Sequence, residues 1–118
     1  MVWKLDRNRP ICPQICEQLS VLIASGEIKA NERLMSVREV ALEAGVNPNT
    51  VQKAFEQLEM KGLIYSVRGS GWFVDTEGSA KDTVEKIIAD KTFSYFDEMK
   101  KLGLTTSQIK QYIKEWNE

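Results

Sequence analysis

Two short helix patterns joined by a glycine turn constrain the fold of this chain more than any other feature. The first begins at Ser36-Val37-Arg38-Glu39, a Ser-x-x-Glu capping box in which the hydroxyl and the carboxylate each accept a hydrogen bond from a free backbone amide. It ends within two turns at Ala44-Gly45-Val46. The second begins at Asn47-Pro48, where asparagine can cap the helix and proline suits the first helical position. A short helix, a tight turn and a longer helix predict a helix-turn-helix unit.

A further helix and a β-hairpin flank this unit. Apolar residues from Ile11 to Ile23 fall on one helical face, which predicts a helix over about residues 12 to 25. After Gly62, two β-branched and aromatic runs enclose the loop Arg68-Gly69-Ser70-Gly71, and this pattern predicts a hairpin. The order of these elements favours a winged helix-turn-helix domain over residues 1–75, in an α+β fold that is mainly α.

Residues 76–118 have the pattern of a helical hairpin, a tail that follows the winged domain. A polar linker at 75–79 precedes a helix over 81–102, and Thr105 to Gln108 forms a second capping box. The apolar face is wider than the seam that two helices share, so it needs a partner, either the winged domain of the same chain or the tail of a second chain. The candidate dimerisation residues are Val84, Ile88, Tyr95, Phe96, Met99, Leu102, Ile109, Tyr112, Ile113 and Trp116.

Composition narrows the function classes. A chain of 118 residues has room for one domain and a small appendage, so a large catalytic fold is not expected. No apolar run approaches the roughly 18 residues of a membrane span, and the N-terminus lacks a secretory signal, which favours a cytoplasmic protein with no membrane partner. The chain has no histidine and two cysteines. Cys12 and Cys16 are expected to be buried thiols, and the sequence predicts no metal site, no cofactor and no enzymatic activity.

Net charge alone does not indicate a nucleic-acid partner. The formal net charge is −1, and phosphate neutralisation is what drives non-specific binding to nucleic acid. The first 74 residues hold nine Lys and Arg against eight Asp and Glu. The case for DNA therefore depends on where particular residues lie.

Several motifs in fixed order closely resemble the DNA-binding domain of GntR-type regulators. They are Ser36–Ala41, Gly45–Phe55, Leu58–Ile64 and Arg68–Val74. With Pro10-Ile11 and Gln14-Ile15 ahead of them, the resemblance covers about residues 3 to 75, and the short two-helix tail is similar to the YtrA subfamily. Members of the family carry a proline before the capping serine and a Pro-Gly pair a few residues earlier. This chain has Met35 and Ala30-Asn31 there.

The resemblance implies how the domain would contact DNA. The third helix would enter the major groove and the wing would reach the adjacent minor groove. Arg38 would contact bases or the phosphate beside them, while Ser36 and Lys53 would contact phosphate. The remaining candidates are Asn47, Asn49, Thr50 and Gln52 in the recognition helix, and Arg68 and Gly69 at the wing tip.

Most of these residues also have a purely structural interpretation. Helix capping explains Ser36 and Asn47 without DNA, and Gly69 suits any hairpin loop. Lys53 is a weak candidate. Arg38 is the strongest, because the apolar stripe of its helix does not require it. The aromatic residues of the tail are equally explained by packing.

The favoured function is a sequence-specific transcriptional regulator. We expect a repressor that binds double-stranded DNA at a palindromic, inverted-repeat operator as a homodimer, and the YtrA resemblance implies control of a transporter operon. The alternative is a winged-helix adaptor that docks a protein through its aromatic tail and does not bind DNA. The sequence does not indicate whether a small-molecule effector exists.

Overall fold

The computed structural model describes residues 2–75 and 79–116. Its elements follow the predicted order and confirm an α+β, mainly α fold. They are α1 (Ile11–Ala24), α2 (Val37–Ala44), α3 (Pro48–Met60), β1 (Ile64–Val67), β2 (Gly71–Val74), α4 (Ser79–Lys101) and α5 (Thr106–Glu115). Residues 76–78 of the predicted linker lie outside the described residues. No helix in the described part is both long and apolar enough to cross a membrane.

The chain divides into two compact units, Met1–Val84 and Glu85–Glu118. The boundary falls inside α4, whereas the sequence placed it after residue 75. Ala80, in the first turn of α4, is buried in the core of the first unit, so the start of this helix completes the winged domain.

The core of the first unit forms where α1 and α2 pack against α3. Ile15 on α1 and Val40 on α2 are fully buried beside Val51 and Phe55 on α3. These positions repeat at helical spacing, so each helix buries one face and leaves the other exposed. The opposite face of α3 therefore stays accessible.

A third segment pairs with the hairpin. Strands β1 and β2 are antiparallel, with Ile64 opposite Val74. The N–H of Val74 donates to the carbonyl of Glu32 at 2.9 Å, and the N–H of Leu34 donates to the carbonyl of Trp72 at 2.8 Å. The segment 32–34 thus pairs with the free edge of β2 through an isolated bridge between Arg33 and Phe73, which the sequence pattern did not predict.

Asn31 explains how the chain enters this segment without the Pro-Gly pair of the family. Its φ is 63°, in the left-handed region that glycine adopts freely and asparagine tolerates better than most residues. Its side-chain oxygen accepts a hydrogen bond from the Tyr65 hydroxyl at 3.0 Å. Asn31 thus adopts the left-handed conformation in this chain and is held there by Tyr65.

The second unit is a helical hairpin. Thr105 Oγ1 accepts a hydrogen bond from the N–H of Gln108, whose side chain accepts one from the N–H of Thr105. This confirms the second capping box. Ile109 is fully buried, so it stabilises the hairpin from inside.

Candidate nucleic-acid interface

The N-terminus of α2 places Arg38 at the surface. Ser36 Oγ accepts a hydrogen bond from the N–H of Glu39 at 3.0 Å, and Glu39 Oε1 accepts one from the N–H of Ser36 at 3.1 Å. Hydrogen bonding to the Glu39 carboxyl by the Ser36 backbone, and second by the Ser36 side chain, lowers the pKa of this carboxyl. The predicted capping box is confirmed, and Arg38 is exposed in the first turn of α2.

The turn between α2 and α3 is held by a residue that the motifs did not indicate. Gly45 ends α2 in the left-handed conformation, with φ of 68°. The guanidinium of Arg7 donates to the carbonyl of Ala44 at 2.6 Å and to that of Gly45 at 3.2 Å. Arg7 therefore provides hydrogen-bond donors to carbonyls at the end of α2. These bonds hold the turn that sets the direction of α3.

The leading turn of α3 is exposed. Asn47 Oδ1 accepts a hydrogen bond from the N–H of Asn49 at 2.8 Å, which confirms the predicted cap, and Pro48 lies at the first helical position. Asn47, Asn49 and Gln52 are exposed, and Thr50 is half-buried. Lys53, also exposed, follows on the same helix. The predicted recognition residues thus lie on the face of α3 that the core does not use.

The wing presents a short, cationic tip. Arg68 and Gly69 lie exposed in the loop between β1 and β2, and Gly69 has a φ of 81°. Arg33 Nε donates to the carbonyl of Ser70 at 3.0 Å. A Cβ on Gly71 would approach Arg33 Nε to 3.3 Å, so glycine at this position gives the guanidinium room against the loop.

No group of three or more His, Cys, Asp and Glu side chains lies together in residues 2–75 and 79–116. Both cysteines are free thiols, Cys16 buried and Cys12 half-buried. Burial raises the pKa of the Cys16 thiol to about 12, so it stays protonated and suits packing between α1 and α3 rather than ligation.

The second unit carries a large exposed apolar surface. Leu102, Trp116 and Tyr112 are 77%, 71% and 58% exposed. Tyr95 and Phe96 contact each other edge to face at 5.9 Å between ring centroids. A groove of about 460 Å³ lies between the two helices, lined by Tyr95, Met99, Tyr112, Ile113 and Trp116. We call these five residues the tail groove.

The other predicted dimerisation residues differ in exposure. Ile88 and Leu102 are exposed, and Val84, the last residue of the first unit, is half-buried. Ile109 has no exposed area, so it can support a surface but not touch a partner.

Comparison with known proteins places these features in a family. Residues 13–74 match the family model described as bacterial regulatory proteins, gntR family. The HTH-type transcriptional repressor YtrA of Bacillus subtilis is 34% identical over 115 residues, which cover 92% of this chain and 85% of that protein. The family match covers the winged domain, and the match to YtrA extends into the tail.

Solved structures agree with this assignment. A GntR family transcriptional regulator from Listeria monocytogenes has a TM-score of 0.79 and 34% identity, covering 96% of this chain and all of that one. The DNA-binding domain of AraR, solved in complex with the operator ORE1, has a TM-score of 0.54 and 32% identity over 63% of this chain and 93% of that one.

Proposed function

Because this chain belongs to the GntR family of bacterial regulatory proteins and is a DNA-binding transcription regulator, we propose that it represses transcription by occupying an inverted-repeat operator as a homodimer. The observation that carries the proposal is the exposed leading turn of α3, in the same compact unit as exposed Arg38 and the exposed wing tip. A regulator of this kind acts on the chromosome, and hence in the cytoplasm. By the likeness to YtrA, a transporter operon is the proposed target.

Base edges are read by the leading turn of α3. The Oδ1 atom of Asn47 caps the helix and leaves the amide nitrogen to donate to DNA, while Asn49, Thr50 and Gln52 offer further polar groups. Asparagine and glutamine can bind adenine with two hydrogen bonds. Arg38 donates to guanine or to the adjoining phosphate.

Phosphate and minor-groove contacts fix the domain on the duplex. Lys53 neutralises phosphate, and Ser36 lies at the positive N-terminus of α2, where anions are favoured. Arg68 enters the minor groove from the wing, with Gly69 allowing close approach to the sugar-phosphate backbone. These contacts add affinity with little dependence on sequence.

The tail groove and the exposed residues beside it form the dimer interface. Large apolar side chains exposed together are typical of a protein interface, and a two-fold dimer would present two recognition helices about 34 Å apart, one turn of DNA. Doubling the contacts also offsets the weak attraction expected of a chain with net charge −1.

The proposal is tested by fluorescence anisotropy with the promoter fragment upstream of the gene. Wild-type protein should bind with about nanomolar affinity that falls steeply with salt. Arg38→Ala should weaken binding at least tenfold, because each two-donor contact to guanine is worth about 1–3 kcal/mol.

Lys4→Ala is the matched control. It removes the same charge from an exposed residue whose backbone pairs with Gln18 on α1, outside the proposed interface, so its affinity should stay within twofold of wild type. Full affinity in Arg38→Ala would remove Arg38 from the interface. The absence of binding to any DNA at low salt would instead favour the adaptor function.

A further inference from the structure

The first unit carries a half-open cavity outside the proposed operator-binding residues. Its volume is about 320 Å³, within the range of small-molecule sites. Much of the wall is apolar, and its aliphatic and aromatic members include Leu19, Leu22, Leu34, Met35, Val40 and Phe55. With Trp3 also in the wall, we call it the Trp3 cavity.

One polar atom at this cavity lacks a partner. The Nε1–H of Trp3 is buried and donates to no acceptor among residues 2–75 and 79–116. Buried indole N–H groups are nearly always hydrogen-bonded. Because this atom has almost no exposed area, an occupant with an acceptor oxygen would satisfy the donor only after a small movement of the wall.

The charged residues of the wall favour a cation. Glu27 and Glu32 contribute carboxylates, and Arg33 contributes the opposing charge. Arg33 Nε already donates to the carbonyl of Ser70 on the wing. Two carboxylates against one engaged guanidinium leave the wall with a net negative charge, which attracts positive ligands.

We propose that the Trp3 cavity binds a small organic cation with an apolar body and a hydrogen-bond acceptor, and that its occupancy weakens operator binding. The site is assigned from cavity, charge and the unpaired indole. Its effect on operator binding rests on the proposed function above.

The same residues form the cavity wall and the wing. Glu32 and Leu34 pair through their backbones with Val74 and Trp72 on β2, and Arg33 forms a bridge with Phe73. Any shift of segment 32–34 to accommodate an occupant therefore moves β2. Because β2 leads directly from the wing tip, the occupant would displace Arg68 and Gly69.

A second route leads to the recognition helix. Phe55 on α3 lines the cavity and packs edge to face against Trp72, with ring centroids 5.5 Å apart. Phe55 has no exposed area, so an occupant acts on α3 only by moving the wall residues that cover Phe55, and this movement reaches the wing through Trp72. The cavity lies where the two DNA-reading elements meet.

Binding is tested on the full chain without DNA, with benzoylcholine as the probe. Proton–nitrogen NMR should show a saturable shift of the Trp3 indole signal, assigned by its loss in Trp3→Phe. Ethyl benzoate keeps the ring and ester but lacks the cation, and should bind at least fivefold more weakly. No saturable shift at millimolar benzoylcholine would overturn the site, and equal binding of both probes would overturn its preference for cations.

Substitutions of single carboxylates distinguish binding at the Trp3 cavity from a general attraction of the cation to the protein. Glu27→Gln should weaken benzoylcholine binding at least threefold and leave ethyl benzoate unchanged. Glu98→Gln, which removes the same charge from an exposed position on α4 outside the cavity wall, should bind both probes as wild type does. Equal effects of the two substitutions would contradict the assignment.

The effect on DNA is measured last, by operator anisotropy with saturating benzoylcholine. Affinity for the operator should fall at least threefold, and ethyl benzoate at the same concentration should change it less. Unchanged affinity in a protein that binds the probe would overturn the coupling. A protein that binds the probe but no DNA would overturn the proposed function and the coupling, while the site would stand.

Discussion

At the N-terminus of α3, Asn47 combines a structural contact with a place on the proposed DNA surface. Its Oδ1 atom accepts the N–H of Asn49, and the residue is exposed. Cap residues were predictable because their partners lie two or three positions away, and Ser36, Asn47 and Thr105 all cap as expected. Arg7 was not predictable, since the carbonyls it binds are 37 and 38 residues distant.

Substitution of Asn47 should separate capping from recognition. Asn47→Asp keeps the oxygen acceptor and favours the helix dipole, so the free energy of unfolding should not fall. It loses the amide donor and adds a negative charge facing phosphate, so operator affinity should drop at least tenfold. Asn47→Ala should lower the free energy of unfolding by about 1 kcal/mol.

Urea unfolding and operator anisotropy on both variants check this prediction. Wild-type affinity in Asn47→Asp would mean that the residue is only a cap.

Among the elements, the wing departs furthest from what the sequence indicated. The hairpin was evident from β-branched and aromatic runs around a glycine-rich loop. The pairing of segment 32–34 with β2 could not be predicted. Three residues are too few to show alternation, and their partners lie about 40 positions along the chain. The cavity also depends on contacts between distant parts of the chain, because its wall combines residues from α1, α3 and segment 32–34.

The left-handed conformation of Asn31 should stabilise the pairing of segment 32–34 with β2. Asn31→Val places a β-branched residue at φ 63° and should lower the free energy of unfolding by about 1–3 kcal/mol. Asn31→Gly relaxes the backbone and loses only the hydrogen bond from Tyr65, at a cost of about 1 kcal/mol or less. Urea unfolding measures both, and equal losses would contradict a conformational role for Asn31.

At the scale of the whole molecule, the chain joins a winged domain to a helical tail that exposes apolar side chains. The sequence indicated both parts but placed their boundary at residue 75, because a polar, turn-forming run marks a linker by composition. The structure ends the first unit at Val84. Burial of Ala80 against the winged core is a tertiary contact that local pattern does not reveal.

The tail groove should hold two copies together. Tyr112→Lys places a charge in an exposed apolar surface, so the dimer dissociation constant should rise at least tenfold while the helical signal in circular dichroism is kept. Operator affinity should fall with it, since one winged domain reads only half a site. Gln111→Lys adds the same charge beside the tail groove, on an exposed residue that does not line it, and should leave the dimer intact.

Sedimentation equilibrium provides the measurement. A monomeric wild-type protein, or unchanged association in Tyr112→Lys, would refute the proposed interface.

The most direct test of the DNA-binding surface is an NMR titration of the labelled protein with its operator. We expect the largest backbone amide shifts in three places: the first turn of α2 around Arg38, the leading turn of α3 from Asn47 to Lys53, and the wing tip at Arg68 and Gly69. The contrary result would be large shifts confined to the tail, with α3 and the wing tip unchanged at saturating DNA.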